Sequence, residues 1–156
     1  MDNPRMARLL NAERACLDAG GCCLRLAGLY SLERGAHNYW LTAGKDELPS
    51  RADGVVNLLH YDDAAGACAA ALRPTGDSAS TNWRGKIFLI SDGHPMTRCG
   101  ICESALQARV YRGCSLPKFT GTEEGLGKVY DGSKSNEELN WKPKHESFDK
   151  FMKENA

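Results

Sequence analysis

Residues Gly54 to Pro74, GVVNLLHYDDAAGACAAALRP, decide the architecture of this chain. Val55 to Leu59 is a short apolar run, which predicts a strand. The run passes through His60 into Asp62-Asp63. Aspartate at a helix N-terminus accepts orphan backbone N–H groups and complements the positive end of the helix dipole. The alanine-rich segment that follows is therefore expected as a buried helix, which Pro74 closes. Strand, tight turn and buried helix in succession predict an α/β layout.

Toward the N-terminus, Asn3-Pro4 is a helix start, with an N-cap residue before proline at the first helical position. Met6, Leu9, Leu10, Cys16 and Leu17 recur at near-helical spacing, so residues 4–19 are expected as an amphipathic helix with one side on a sheet. Gly20-Gly21 ends it. Cys22 to Ala27 reads as a strand buried on both faces, as parallel strands usually are. Gly28-Leu29-Tyr30 leads to a second helix over Leu32–Leu41, and Thr42–Asp53 is a surface loop.

Toward the C-terminus, Thr75–Arg84 is a further loop and Lys86–Asp92 a further strand. Thr97 caps a helix running to about Val110. Gly113–Gly127 is irregular. Ser133 is expected to cap a one-turn helix, Asn140 to take the left-handed closing position, and Trp141 and Pro143 to pack its exit.

With 156 residues and 42% hydrophobic content, the chain suits one compact domain with a real core. Twenty basic and twenty acidic residues balance, so no global field implies a nucleic-acid or membrane partner. No apolar run reaches the roughly 20 residues that span a bilayer, and MDNPRMARLLNAERA lacks the layout of a secretory signal. A soluble protein, cytoplasmic or organellar (plastid or mitochondrial), is expected. Seven scattered cysteines, an odd count, suit reduced thiols better than a disulfide framework.

Four segments, in order, resemble the extended short-chain dehydrogenase/reductases, the family of NAD-dependent sugar epimerases and dehydratases. Asn57-Leu58-Leu59-His60-Tyr61-Asp62-Asp63 is similar to the family's V-H-V-D-D strand-to-helix motif. Ala7 to Glu13, followed by Arg25-Leu26-Ala27-Gly28-Leu29-Tyr30, resembles the end of the catalytic helix and the R-x-x-x-x-Y-G-P strand beside the nicotinamide. Lys86–Asp92 with its following helix matches a further strand of the family. Asp131 to Pro143 resembles the closing D-x-S-K-x-x-x-E-L-G-W-x-P, and Ser147–Phe151 the last short helix.

The resemblance implies the C-terminal half of a Rossmann-like NAD(P)-binding fold, with parallel strands flanked by helices, plus a small substrate-side lobe. Residues 1–74 would supply helices and strands of the Rossmann sheet, and residues 75–156 mostly the lobe with one further strand. The N-terminal dinucleotide-binding half, with its glycine fingerprint at a helix N-terminus, has no counterpart. Gly121, Gly125 and Gly127 lie in a late loop with no helix after it.

The chain departs from the family at the catalytic helix. The matched positions carry Pro4 in place of the acid/base tyrosine and Arg8 in place of the lysine that lowers its pKa. An arginine can contact a ribose or phosphate but stays protonated. The chain is thus expected to be part of an atypical relative roughly twice as long, inactive alone and working with NAD or NADP on a small, nucleotide-sugar-like substrate. The alternatives are a truncated, non-catalytic interaction module, whose uncovered strand edge and apolar sheet face favour self-association, and a small metal or redox protein.

By resemblance, Arg8, Gly28, Leu29 and Tyr30 are the expected cofactor-side contacts. Arg34, His37 and Tyr39 follow the nicotinamide-side strand and combine a cation, an imidazole and a phenol. His37 and Tyr39 are the candidate proton-transfer groups, and Arg34, His60 and Lys128 the candidate substrate contacts. His60 is also read as a histidine bonding the strand-to-helix turn, and Asp62 and Asp63, which look like paired acid/base carboxylates, as a pair of which helix capping explains at least one. Cys99-Gly-Ile-Cys102 has metal or redox spacing but lies in a predicted helix without a second such pair, so buried thiols and no metal are expected.

Overall fold

Each apolar run expected as a strand meets its partner far along the chain. The computed structural model describes residues 3–44, 46–72, 83–123 and 125–156. Pro74 and most of the loop expected at 75–84 lie outside them. In chain order the elements are α1 (Pro4–Asp18), β1 (Cys23–Leu26), β2 (Gly28–Tyr30), α2 (Ala36–Thr42), β3 (Glu47–Leu48), β4 (Val55–Val56), β5 (Leu58–His60), α3 (Tyr61–Leu72), β6 (Ile87–Ile90), β7 (Met96–Thr97), α4 (Arg98–Ala105), a 3₁₀ turn (Arg109–Tyr111), β8 (Lys118–Phe119), α5 (Ser133–Leu139) and α6 (Phe148–Glu154).

Among the described residues three of the four ladders are parallel: β1 with β6 in register Cys23↔Ile87 to Leu26↔Ile90, β2 with β5 in register Gly28↔Leu58 to Tyr30↔His60, and β3 with β8. The pair β4–β7 is antiparallel. Residues 23–30 serve two ladders in turn. The Ala27 N–H still donates to the Ile90 carbonyl, whereas the Gly28 N–H donates to the Asn57 carbonyl. The expected single strand Val55–Leu59 breaks in the same way at Asn57, with β4 following β7 and β5 following β2.

Alternation along β5 divides the interior, because successive side chains point to opposite faces. Leu59 joins Ala64, Ala67, Phe88, Ile90 and Leu139 in one core, while Leu58 joins Tyr30, Ile101, Ala105, Phe148 and Met152 in the other. The first is roofed by α3, whose Gly66 lets Trp141 approach: a Cβ there would lie 3.0 Å from the indole Nε1.

Several expectations are corrected. The run Cys22–Ala27 is not buried on both faces, since Arg25 and Leu26 are exposed. Among the described residues β1 has a neighbour on one edge only. Helix α1 buries no residue and leaves Met6, Leu9 and Leu10 exposed. A two-pronged pair from Arg25 to Glu13, 2.8 and 2.6 Å, ties it to β1. Helix α2 starts at Ala36 rather than Leu32, because the Ser31 N–H donates to the Arg34 carbonyl and closes a turn first. Helix α4 keeps the Thr97 cap, with Oγ1 accepting the Gly100 N–H, but stops at Ala105 and resumes as the 3₁₀ turn. Ser133 does not cap α5; its N–H donates to the Asp131 carboxylate instead. Asn140 closes that helix in the left-handed region, φ 46°, as expected.

The acidic pair divides its work. Both aspartates lie in the first turn of α3, where their charge suits the dipole. Asp63, however, is 3% exposed and accepts the N–H groups of Lys144 (2.6 Å) and His145 (3.0 Å), pinning the segment that leads into α6. Asp63→Ala removes the acceptor of two part-buried donors and is expected to cost about 2–4 kcal/mol in urea unfolding. Asp63→Asn, which keeps one acceptor oxygen, is expected to cost less. A loss below about 0.5 kcal/mol in the alanine variant, within the range of neutral surface changes, would show that this clamp is not structural.

Candidate functional site

The two strand breaks meet across the Gly28–Asn57 hydrogen bond and open a cleft of about 510 Å³. Leu26, Ala27 and Gly28 line it from the first break, Val55, Val56 and Asn57 from the second, and Gly127, Lys128 and Tyr130 from the segment before α5. In parallel α/β sheets, ligands settle in crevices beyond the carboxyl ends of strands, where neighbouring strands part.

Asn57 builds the cleft. Its Nδ2 donates to the Lys128 carbonyl (2.7 Å) and its Oδ1 accepts the Tyr130 N–H (2.8 Å), so one buried amide holds the far wall. Backbone comes close on both sides. A Cβ at Gly28 would lie 3.0 Å from the Asn57 oxygen, and one at Gly127, where φ is +88°, 2.6 Å from the Val55 oxygen. The cleft thus combines backbone polar groups, a small-residue floor and the Lys128 cation, which suits a polar, anionic ligand.

Of the residues singled out in the sequence, Gly28 and Lys128 line this cleft. Leu29 and Tyr30 continue into β2. Leu29 packs on the first core, and Tyr30 is fully buried with its hydroxyl unpartnered among the described residues. Burial, then the charges of Asp92 and Asp63, push the Tyr30 phenol up. Arg8 is exposed on α1. Arg34 stacks over the Tyr61 ring at 5.3 Å.

His37 lies wholly inside, its Nε2 3.1 Å from the Leu32 carbonyl and its ring edge-on to Tyr111 and Phe148. Burial holds its pKa below the usual histidine value. Tyr39, one turn side on, is 57% exposed. His60 is buried at the end of β5, and its Nδ1 accepts the Asp62 N–H at 3.1 Å, the turn-bonding role weighed above. None of Arg8, Arg34, His37, Tyr39 and His60 lines the cleft.

Sequence reasoning passed over Asn57, whose only signal was a polar residue interrupting an apolar run. It also passed over Asp92 and His145. Asp92 is 5% exposed; Oδ1 accepts the His94 N–H at 2.8 Å, and Oδ2 has no partner among the described residues. Burial raises its pKa to about 6. The cysteines are free thiols. Cys102 is fully buried and pushed up to about 12, so it holds no thiolate at neutral pH.

Because the folded-state pKa of Asp92 lies above its ordinary value, the native state binds this proton more tightly than the unfolded chain. The group destabilises the fold progressively as pH rises from about 4 to about 6. Asp92→Asn is expected to stabilise the protein by up to about 3 kcal/mol above pH 6 and by little at pH 4. A gain independent of pH would remove the ionised carboxylate as its cause.

No protein-family model matches the sequence, and no curated protein matches it. Solved structures do. A dTDP-glucose 4,6-dehydratase from Bacillus anthracis in complex with NAD superposes with TM-score 0.70 at 16% identity, over 99% of this chain and 51% of the other. A UDP-glucuronic acid 4-epimerase from Bacillus cereus, solved with UDP-glucuronic acid and NAD, gives TM-score 0.72 at 18% identity, over 94% and 49%. A UDP-glucose 4-epimerase from Thermotoga maritima with UDP-glucose gives 0.63 at 18%, over 94% and 48%. This chain therefore spans about half the length of the structures it resembles, and its fold is that of one half of the Rossmann-type sugar-nucleotide epimerases and dehydratases.

Proposed function

We propose that this chain is the C-terminal, substrate-side half of an atypical NAD(P)-dependent epimerase/dehydratase-like or oxidoreductase protein, and that its cleft receives a nucleotide-sugar-like substrate. The observation that carries the reading is the cleft at the paired strand breaks. It lies on a fold shared with enzymes solved with UDP-sugars and NAD. Lys128 would meet a substrate phosphate or carboxylate, and the backbone around Gly28 and Asn57 its hydroxyls.

The residues present fit only part of a dinucleotide. Ala27 and Gly28 leave the cleft floor free of bulky side chains, while the sequence offers no glycine-rich turn between strand and helix for a pyrophosphate. NAD(P) supplies hydride transfer when bound. This chain's own share is to seat the substrate, to hold the Lys128 wall through Asn57, and to offer Arg8 to a ribose or phosphate. Of the proposed proton-transfer pair, Tyr39 on the surface of α2 is the accessible member, and His37 is buried. The non-catalytic alternative would instead use the apolar face formed by Met6, Leu9, Leu10 and Leu26.

Intact-mass measurement of the protein from its own cells is expected to give about twice 17.0 kDa. In that protein, supplied with NAD, UDP-glucose is expected to bind, and Lys128→Ala to weaken it about tenfold, the loss of one charge-assisted contact worth about 1.5 kcal/mol. A mass matching these 156 residues, with no UDP-glucose bound, would overturn the enzyme reading and leave the interaction module.

A further inference from the structure

We propose that His60, Asp62 and His145 form a binding site for a zinc-class divalent cation, separate from the substrate cleft. These side chains each place one ligand atom within 4.8 Å of the others. The Asp62 carboxylate stands between the imidazoles, with Oδ2 3.8 Å from His60 Nδ1 and 3.7 Å from His145 Nε2. Bonds of about 2.0–2.1 Å in a tetrahedral zinc site put neighbouring ligand atoms about 3.4 Å apart. The two carboxylate contacts need to close by a few tenths of an ångström and the widest pair of the set by up to about 1.4 Å, through turning of the imidazoles and movement of Asp62, whose side chain is 71% exposed.

A second observation points the same way. His145 Nε2 is buried and has no hydrogen-bond partner among the described residues, although an imidazole nitrogen out of water ordinarily finds one. The two imidazoles face each other at a centroid distance of 3.9 Å. Phe151 lies against both, at 4.7 Å from His60 and 5.3 Å from His145, and Tyr30 stands edge-on to His60 at 5.2 Å. This aromatic wall flanks the rings, which turn about their side-chain bonds to bring their nitrogens onto one ion, and Asp63 fixes the backbone at His145.

The His60 Nδ1 lone pair now takes the Asp62 N–H. That donor lies in the first turn of α3, where it has no intrahelical acceptor, so water can take it up when a cation claims the nitrogen. Two imidazoles and one carboxylate suit Zn²⁺ and leave a fourth position on the exposed Asp62 side for water. The ion would join β5 and the start of α3 to the segment before α6, 83 positions further on.

The test is titration of Zn²⁺ alone into the chain at pH 7, read by calorimetry and by the ring signals of its four histidines. One ion per chain is expected. His60 and His145 should shift together while His37 and His94 stay still. Asp62→Asn and His145→Gln should each weaken binding at least tenfold, and Cys99→Ser should leave it unchanged. The proposal is overturned if the His60 and His145 signals do not move, or if Cys99→Ser abolishes binding and Asp62→Asn does not. Asp62 is exposed, so its variant keeps the test decisive even where His145→Gln fails to fold. None of these outcomes depends on UDP-glucose or NAD binding.

Discussion

A buried amide must have its donors and acceptors met, and at Asn57 that requirement organises the molecule. The residue sits where one strand gives up its partner and the next begins. Its backbone oxygen takes the Gly28 N–H, its side-chain oxygen the Tyr130 N–H, and its side-chain nitrogen serves the Lys128 carbonyl. Three stretches far apart in sequence therefore converge on one residue. The cleft exists because the ladders diverge there, and it keeps its shape because Asn57 satisfies the edges that divergence leaves bare.

Asp63 plays the matching part on the other side of β5. Charge-assisted bonds to two successive backbone N–H groups hold the segment before α6, and with it Phe148 and Met152 reach the second core. The neighbourhood is rich in titratable groups out of water: Tyr30, His60, Asp63, Asp92 and His145. Asp92 keeps a raised pKa because burial disfavours its charge more than the His94 N–H supports it. Asp92 in this cluster costs stability once ionised, whereas Asp63 adds to it, and His60 and Asp92 lie at the ends of β5 and β6.

Much of the fold was legible beforehand because it rests on local signals. The Asn3-Pro4 start, the Thr97 cap, the left-handed Asn140 and the apolar runs at 22–27, 55–59 and 86–92 all carry their reasons within a few residues. Some errors were local, such as the turn that delays α2 and the Ser133 N–H that bonds Asp131, and the larger ones were of long range. Cys22–Ala27 was expected to be buried on both faces, but burial depends on what lies opposite. Asp63 was read as a cap because a helix start explains an aspartate locally, whereas its partners are 81 and 82 positions away. The candidate site was half visible: Gly28 and Lys128 were named, Asn57 was not, since nothing in VVNLL says what an asparagine side chain will meet.

The sequence by itself determined the α/β order of elements, because hydrophobic period, turn residues and caps act over short range, and its four family-like segments carried the resemblance to half of a Rossmann-type fold. Only the tertiary structure decided where the strands break, which buried polar groups pair, and that His60 and His145, 85 residues apart, stand ring against ring. Those outcomes follow from long-range packing, in which a side chain's role is set by the partner that the fold brings to it.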